Sequence, residues 1–224
     1  MGTTEAGATL EQRLQAVTGR KGLLAHPFFR DWVAGTLPFA KVREFARQYY
    51  AFEAAFPRYL STIHARTESP TIRRLLLENL WDEEHGERNH PVLWLEFTEA
   101  LGLSREEVQQ AALRPETRAL VEHYWTAARE APIAEALGTL FAFEGQVPAI
   151  SWQTIKGLTE RYGFEPRQFE FFSVHLVADI AHAGAEMEAI NEACTDEDAV
   201  VAAVEAACDR LLSFLGGCYA EAEG

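Results

Sequence analysis

The sequence predicts an all-α protein, a bundle of seven to eight helices. Three observations carry that expectation. Apolar residues recur every three or four positions, as Val42, Phe45, Tyr49, Phe52 and Phe56 do. No segment alternates apolar and polar residues over the length of a strand. Proline, serine and aspartate stand where helices would begin, at Pro27, Pro70, Ser104, Pro132 and Asp196.

Residues 1–8 read as a flexible tail, and residues 9–220 as one domain. Leu10, Leu14 and Val17 share a helical face, which predicts a helix over Leu10 to Leu24. His26-Pro27 opens a short aromatic helix that Gly35 closes. A long helix follows from Pro38 to His64, kinked by Pro57. Ser69-Pro70 opens the next, which runs to about Glu87, is broken or kinked at Pro91 and resumes to Leu101. Ser104 with Glu107 forms a capping box for a short helix to Ala112. Pro115 and Pro132 open two more; the second bends at Pro148 and ends at Tyr162-Gly163. Glu165-Pro166 starts a helix through Ile190, and Asp196 caps a last one to about Leu215, ended by Gly216-Gly217.

With 224 residues and 48 % hydrophobic composition, the chain is long enough to bury a sizeable core. A net charge of −14 argues against a nucleic-acid partner. The sequence holds no run of 18 apolar residues, so no membrane span is expected. Cys194, Cys208 and Cys218 lack CxxC spacing and read as reduced thiols of a cytoplasmic protein. The acidic surface is compatible with a monomer or a homodimer.

The stretch Phe171 to Ile190, FFSVHLVADIAHAGAEMEAI, carries the chemistry. At about 100° per residue, Asp179 lies roughly 40° from His175 and His182 roughly 20° to its other side, so three ligand types share one apolar face. Buried imidazoles and a carboxylate need a partner, and a metal ion is one that serves all three. Glu83 and His90 stand seven residues apart, two turns on one face. Glu144 is the lone acid in the apolar run Gly138 to Ile150. Three carboxylates and three histidines from three helices suit two iron or manganese ions better than one zinc. Phe29, Tyr49, Phe52, Phe143 and Trp152 are candidate substrate-pocket walls, though aromatics at this spacing also serve as plain core. Glu53 is a candidate extra ligand or base, with surface exposure the equal alternative. Glu84 and His85 point to other faces, and His26 and His64 read as structural.

The stretches HPFFRDW, RQYYAFEAAFPRYLSTIHAR, LLENLWDEEHGERNHPVLW, FEGQVPAI, KGLTERYGF and FFSVHLVADIAH resemble the CADD group (Chlamydia protein associating with death domains) of the haem-oxygenase-like superfamily, with TenA thiaminases and PqqC as more distant relatives. The resemblance implies a haem-oxygenase-like bundle around a non-haem dimetal centre (two Fe, or Fe and Mn) that uses O2 as co-substrate. It places metal ligands on Glu83, His90, Glu144, His175, Asp179 and His182. It implies a link to 4-aminobenzoate and folate, in which the enzyme sacrifices one of its own tyrosines and a lysine donates the amine. Those positions fall here on Phe29 and Phe143, which have no phenol, and on Thr154, which has no amine; Tyr49, Tyr50 and Lys156 are nearby in sequence. The expected function is therefore an O2-activating oxidase or oxygenase acting on a small amino-acid-like or aromatic metabolite. A metal-free cofactor-biosynthesis enzyme and a non-enzymatic interaction protein are the alternatives.

Overall fold

The computed structural model describes residues 7–220, and every secondary-structure element among them is a helix. Of the expected tail, residues 1–6 lie outside the described residues. The α-helical segments, in chain order, are α1 (Leu10–Arg20), α2 (Pro27–Ala34), α3 (Phe39–Glu53), α4 (Phe56–Arg66), α5 (Pro70–Glu84), α6 (His90–Ala100), α7 (Arg105–Gln109), α8 (Pro115–Glu130), α9 (Ile133–Glu144), α10 (Val147–Arg161), α11 (Glu170–Ala193) and α12 (Glu197–Tyr219). Two rods expected to be continuous but bent, and one expected to be broken or kinked at Pro91, are each split in two, at α3/α4, α9/α10 and α5/α6. Merging those pairs and setting aside five-residue α7 leaves eight rods, in keeping with the expected bundle.

The expected caps are formed. Ser69, Ser104 and Asp196 each accept a backbone N–H from the first turn that follows, and Ser104 with Glu107 makes the full capping box. Thr9 and Gln12 make a second capping box at α1. Three boundaries differ from expectation. Pro57, Pro91 and Pro148 sit in the first turns of α4, α6 and α10, where a missing N–H costs nothing, so they begin helices and do not bend them. The α5–α6 break falls earlier, at Gly86, whose φ of 85° is left-handed. At the other end of the chain, Gly216 and Gly217 lie within α12, which continues to Tyr219; Gly217 packs closely against Glu116 of α8.

α11 packs on α5, α6, α9 and α10; α12 packs on α1, α8 and α9. One contiguous apolar cluster extends from Leu10 to Cys218. Buried polar groups tie the rods together. Trp94 Nε1 donates to the Ala46 carbonyl at 2.9 Å, joining α6 to α3. Gln48 Oε1 accepts from the Thr117 hydroxyl at 2.7 Å and from Arg114 N at 2.9 Å, joining α3 to α8. Gln146 Oε1 accepts from Leu23 N at 2.9 Å and fixes the α9–α10 elbow to the turn before α2. Among the described residues, no helix is long and apolar enough to cross a membrane.

α2 packs against α10 by seating the buried Trp32 indole on Gly157, where a Cβ would come 2.9 Å from Trp32 Cδ1. Gly157→Ala should therefore destabilise the protein by about 1–3 kcal/mol through overpacking. Gly184→Ala, on an open face of α11, should instead stabilise it by about 0.5–1 kcal/mol. Urea unfolding monitored by circular dichroism checks both, and equal effects would mean that the Trp32–Gly157 contact is not close.

Candidate metal centre

The break between α5 and α6 shapes one side of the site. Glu83 lies in the last turn of α5 and His90 is the first residue of α6, so the two do not share one helix face as their spacing suggested. The intervening loop turns back at Gly86 and brings His90 Nδ1 to 3.0 Å from Glu83 Oε1, a charge contact that is not aligned as a hydrogen bond. Asn89 caps α6 beside it by accepting from Val92 N at 3.3 Å.

α11 supplies the opposite side. His175, Asp179 and His182 are all buried on one stripe of this uninterrupted helix, as the periodicity predicted. Glu186 continues the stripe, roughly 20° from His175 at 100° per residue, and is also buried. α9 brings Glu144, its last residue, and α3 brings Glu53, also its last. Glu53 is 2 % exposed and lies beside His90 and His175, so it is a buried group of the candidate centre and not a surface one.

The side chains gather in two adjoining sets. Glu53, His90 and His175 offer ligand atoms within 4.8 Å of one another, as do Glu144, Asp179 and His182. Glu83 touches His90 and lies within charge range of His175 and His182, so it serves both sets. The His90 and His175 ring centroids are 4.2 Å apart.

Neighbours hold these groups in place. His175 Nδ1 donates to the Phe171 carbonyl at 2.7 Å, which assigns the proton to Nδ1 and leaves Nε2 as the acceptor. Asn79 Nδ2 donates to both Glu144 oxygens, at 3.0 and 3.1 Å. His182 Nδ1 lies 3.2 Å from Asp179 Oδ1 and 3.9 Å from Glu144 Oε1, while Nε2 lies 3.0 Å from Asp82 Oδ2. The Tyr49 hydroxyl donates to Glu53 Oε2 at 2.8 Å.

The electrostatics follow from burial. Desolvation, reinforced by the Glu83 charge, pushes Glu53 up to about 8. Desolvation likewise raises Asp179 to about 6, and raises Glu144 and Glu186. Burial also disfavours ionised Glu83, but the contact with His90 outweighs it and holds Glu83 below the usual range. His90 and His182, opposed by burial but held by carboxylates, rise to about 9 each, while burial and the neighbouring His90 lower His175 to about 4. Five carboxyl groups are thus packed where only two imidazoles carry counter-charge. Glu53 Oε1, Glu83 Oε2, Asp179 Oδ2 and both Glu186 oxygens are buried with no hydrogen-bond partner. Such a donor set fits a pair of divalent cations, which would supply both the missing charge and the missing partners.

Beside this centre lies a cavity of about 50 Å³, walled by Phe29, Tyr49, Phe52, Phe143 and Phe171 among others. Four of the five expected pocket aromatics therefore line it. Trp152 does not: it is 57 % exposed on the outer face of α10, and its neighbours Ile150 and Ser151 turn inward instead. Thr154 is buried on α10, whereas Lys156 is exposed. Glu84 and His85 are exposed; His26 caps α2 through Nδ1, and His64 lies at the end of α4 away from the centre.

Sequence reasoning missed Glu186, Asp82 and Asn79. Glu186 had a signal, since it extends the α11 stripe, but Glu188 and Glu192 surround it with ordinary surface acids. Asp82 and Asn79 had none. Each holds a neighbouring group without belonging to the stripe, and replacing such orienting partners lowers metal affinity about 10–100-fold. Asp82→Ala and Asn79→Leu should both show that loss in a competition assay with a metal chelator, with unchanged circular dichroism.

The family model for iron-containing redox enzymes matches residues 43–212. A 4-aminobenzoate synthase of Nitrosomonas europaea is 40 % identical, covering 94 % of this chain and 91 % of the relative. A 4-aminobenzoate synthase of Chlamydia muridarum is 34 % identical, covering 96 % and 92 %. In shape, the chain is similar to a TenA homolog from Pseudomonas syringae pv. tomato, with a TM-score of 0.83, 19 % identity and 97 % of both chains covered. The haem-oxygenase-like fold expected from the sequence is thus the observed one, and the chain belongs to the iron-containing redox enzyme family as an oxidoreductase.

Proposed function

We propose that the protein is a non-haem dimetal oxidase or oxygenase that uses O2 as co-substrate on a small amino-acid-like or aromatic metabolite. The observation that carries this reading is the pair of adjoining buried sets with unpartnered carboxylate oxygens. Glu53, Glu83, His90 and His175 would hold one ion, and Glu144, Asp179, His182 and Glu186 the other. The ions are two irons, or iron with manganese, which the same ligand types accept. When bound, such a pair supplies electrons to O2 and oxidising power toward a nearby C–H or N–H bond.

The chain's own contribution is preorganisation. The Phe171 carbonyl fixes the His175 tautomer so that Nε2 faces the centre. Asn79 holds Glu144 by both oxygens, and Asp82 holds Nε2 of His182 so that Nδ1 faces Asp179 and Glu144. Tyr49 orients Glu53 and at the same time forms a wall of the cavity. The aromatic walls exclude water from the space where a substrate would lie. The relatives' activity suggests a link to 4-aminobenzoate metabolism. Phe29 and Phe143 line the cavity and Thr154 stands on α10, so the phenols and the amine of the self-sacrificing route are lacking there, which favours an external substrate.

Anaerobic loading with Fe(II) should give about two metal ions per chain, followed by O2 uptake on exposure to air. Glu144→Ala and His175→Ala should each lose most of the bound iron, whereas Glu84→Ala and His64→Ala should keep it. Metal analysis and an oxygen electrode check this. Retention of no iron by the native chain would sink the reading, and equal loss in all four variants would point to unfolding rather than lost ligands. Mass spectrometry after turnover should show Tyr49 and Tyr50 unmodified.

A further inference from the structure

We propose that the central cavity binds an uncharged aromatic ring and rejects a zwitterionic amino acid, an inference that rests on reading the cavity as the substrate site. Every side chain lining it is uncharged, and only Tyr49 and Ser151 bring a hydroxyl. The Tyr49 proton is already committed to Glu53, and the Trp94 N–H to the Ala46 carbonyl. None of the carboxylates or imidazoles of the adjoining centre lines the cavity. They stand behind two aromatic plates. Tyr49 meets Glu53 through its hydroxyl, and the Phe171 ring is tilted 35° to the His175 ring with centroids 4.1 Å apart. An ammonium or carboxylate brought into this space would lose its water and find no counter-charge.

An apolar ring meets the opposite situation. Phe52 and Phe143 stand edge to face with centroids 5.1 Å apart, and Tyr49 and Phe171 do the same at 6.3 Å. A ring entering between them completes such contacts with its own faces and edges. The cavity volume of about 50 Å³ is about a third of the roughly 150 Å³ of an apolar cavity that holds benzene, so one small ring enters only as the aromatic walls move outward, and nothing larger is admitted.

The test compares p-cresol with L-tyrosine, which share a ring and differ in the charged backbone. Binding of each to the full chain is measured by isothermal titration calorimetry, before and after anaerobic Fe(II) loading. p-Cresol should saturate a single site, and L-tyrosine should bind about 100-fold more weakly or not at all. Phe143→Trp and Ile150→Phe, which fill the cavity from two different helices, should each weaken p-cresol by about tenfold or more while keeping the native circular dichroism and Tm. Tyrosine binding as tightly as p-cresol overturns the inference. So does p-cresol binding that both folded variants retain, or no binding of either compound. Iron content measured on the same samples separates the two readings. p-Cresol binding without iron uptake removes the dimetal proposal and leaves this one, and iron uptake with tyrosine preferred does the reverse.

Discussion

Five carboxyl groups share the inside of an apolar bundle, and the rest of the structure is arranged around the cost of putting them there. Glu53, Glu83, Glu144, Asp179 and Glu186 come from four helices and are all but sealed from solvent. A single buried carboxylate without a partner costs several kcal/mol, more than most individual contacts return. A chain that concentrates five at one point needs a compensating charge at that point. His90 and His182 provide part of it, and the proposed metal pair would provide the remainder. The surrounding apolar cluster then acts as the rigid mould that keeps the acids from drifting toward water.

The centre and the cavity divide the inside of the bundle into a wet-chemistry half and a dry half. The divider is only a ring thick. Tyr49 and Phe171 each belong to both halves, touching a candidate ligand on one side and the cavity on the other. This arrangement keeps charge away from the cavity while leaving reactive atoms close behind its wall.

How far the sequence foretold this varies with the kind of signal. The α11 stripe was legible because three ligand types on an unbroken helix leave a period of 3.6 in the residue order. Glu144 was legible because burying a lone acid in an apolar run is too costly without a charged or hydrogen-bonded partner. Glu83 and His90 were found by a spacing argument whose geometry was wrong: the loop at Gly86, and not a shared helix face, joins them. The spacing could not distinguish the two because proline in a first turn and proline at a kink look alike in a sequence. Glu53 suits pocket and surface alike in the sequence, and only the packing of α3 on α6 and α8 turns it inward. Trp152 misled because periodicity says which residues share a face of α10 without saying which face is inside. Asp82 and Asn79 act on other side chains and not on the pattern, so nothing in one sequence marks them.

The α5–α6 break has an electrostatic side as well as a geometric one. Because a new helix begins at His90, the positive end of the α6 dipole, worth about half a unit charge, opens at the place where Glu83 and its fellow acids are concentrated. Had α5 run on unbroken through His90, the same residues would have presented only the flank of a helix, which carries no such field. The interrupted backbone thus contributes fixed positive potential that no side chain has to supply, and which does not titrate away as the imidazoles do.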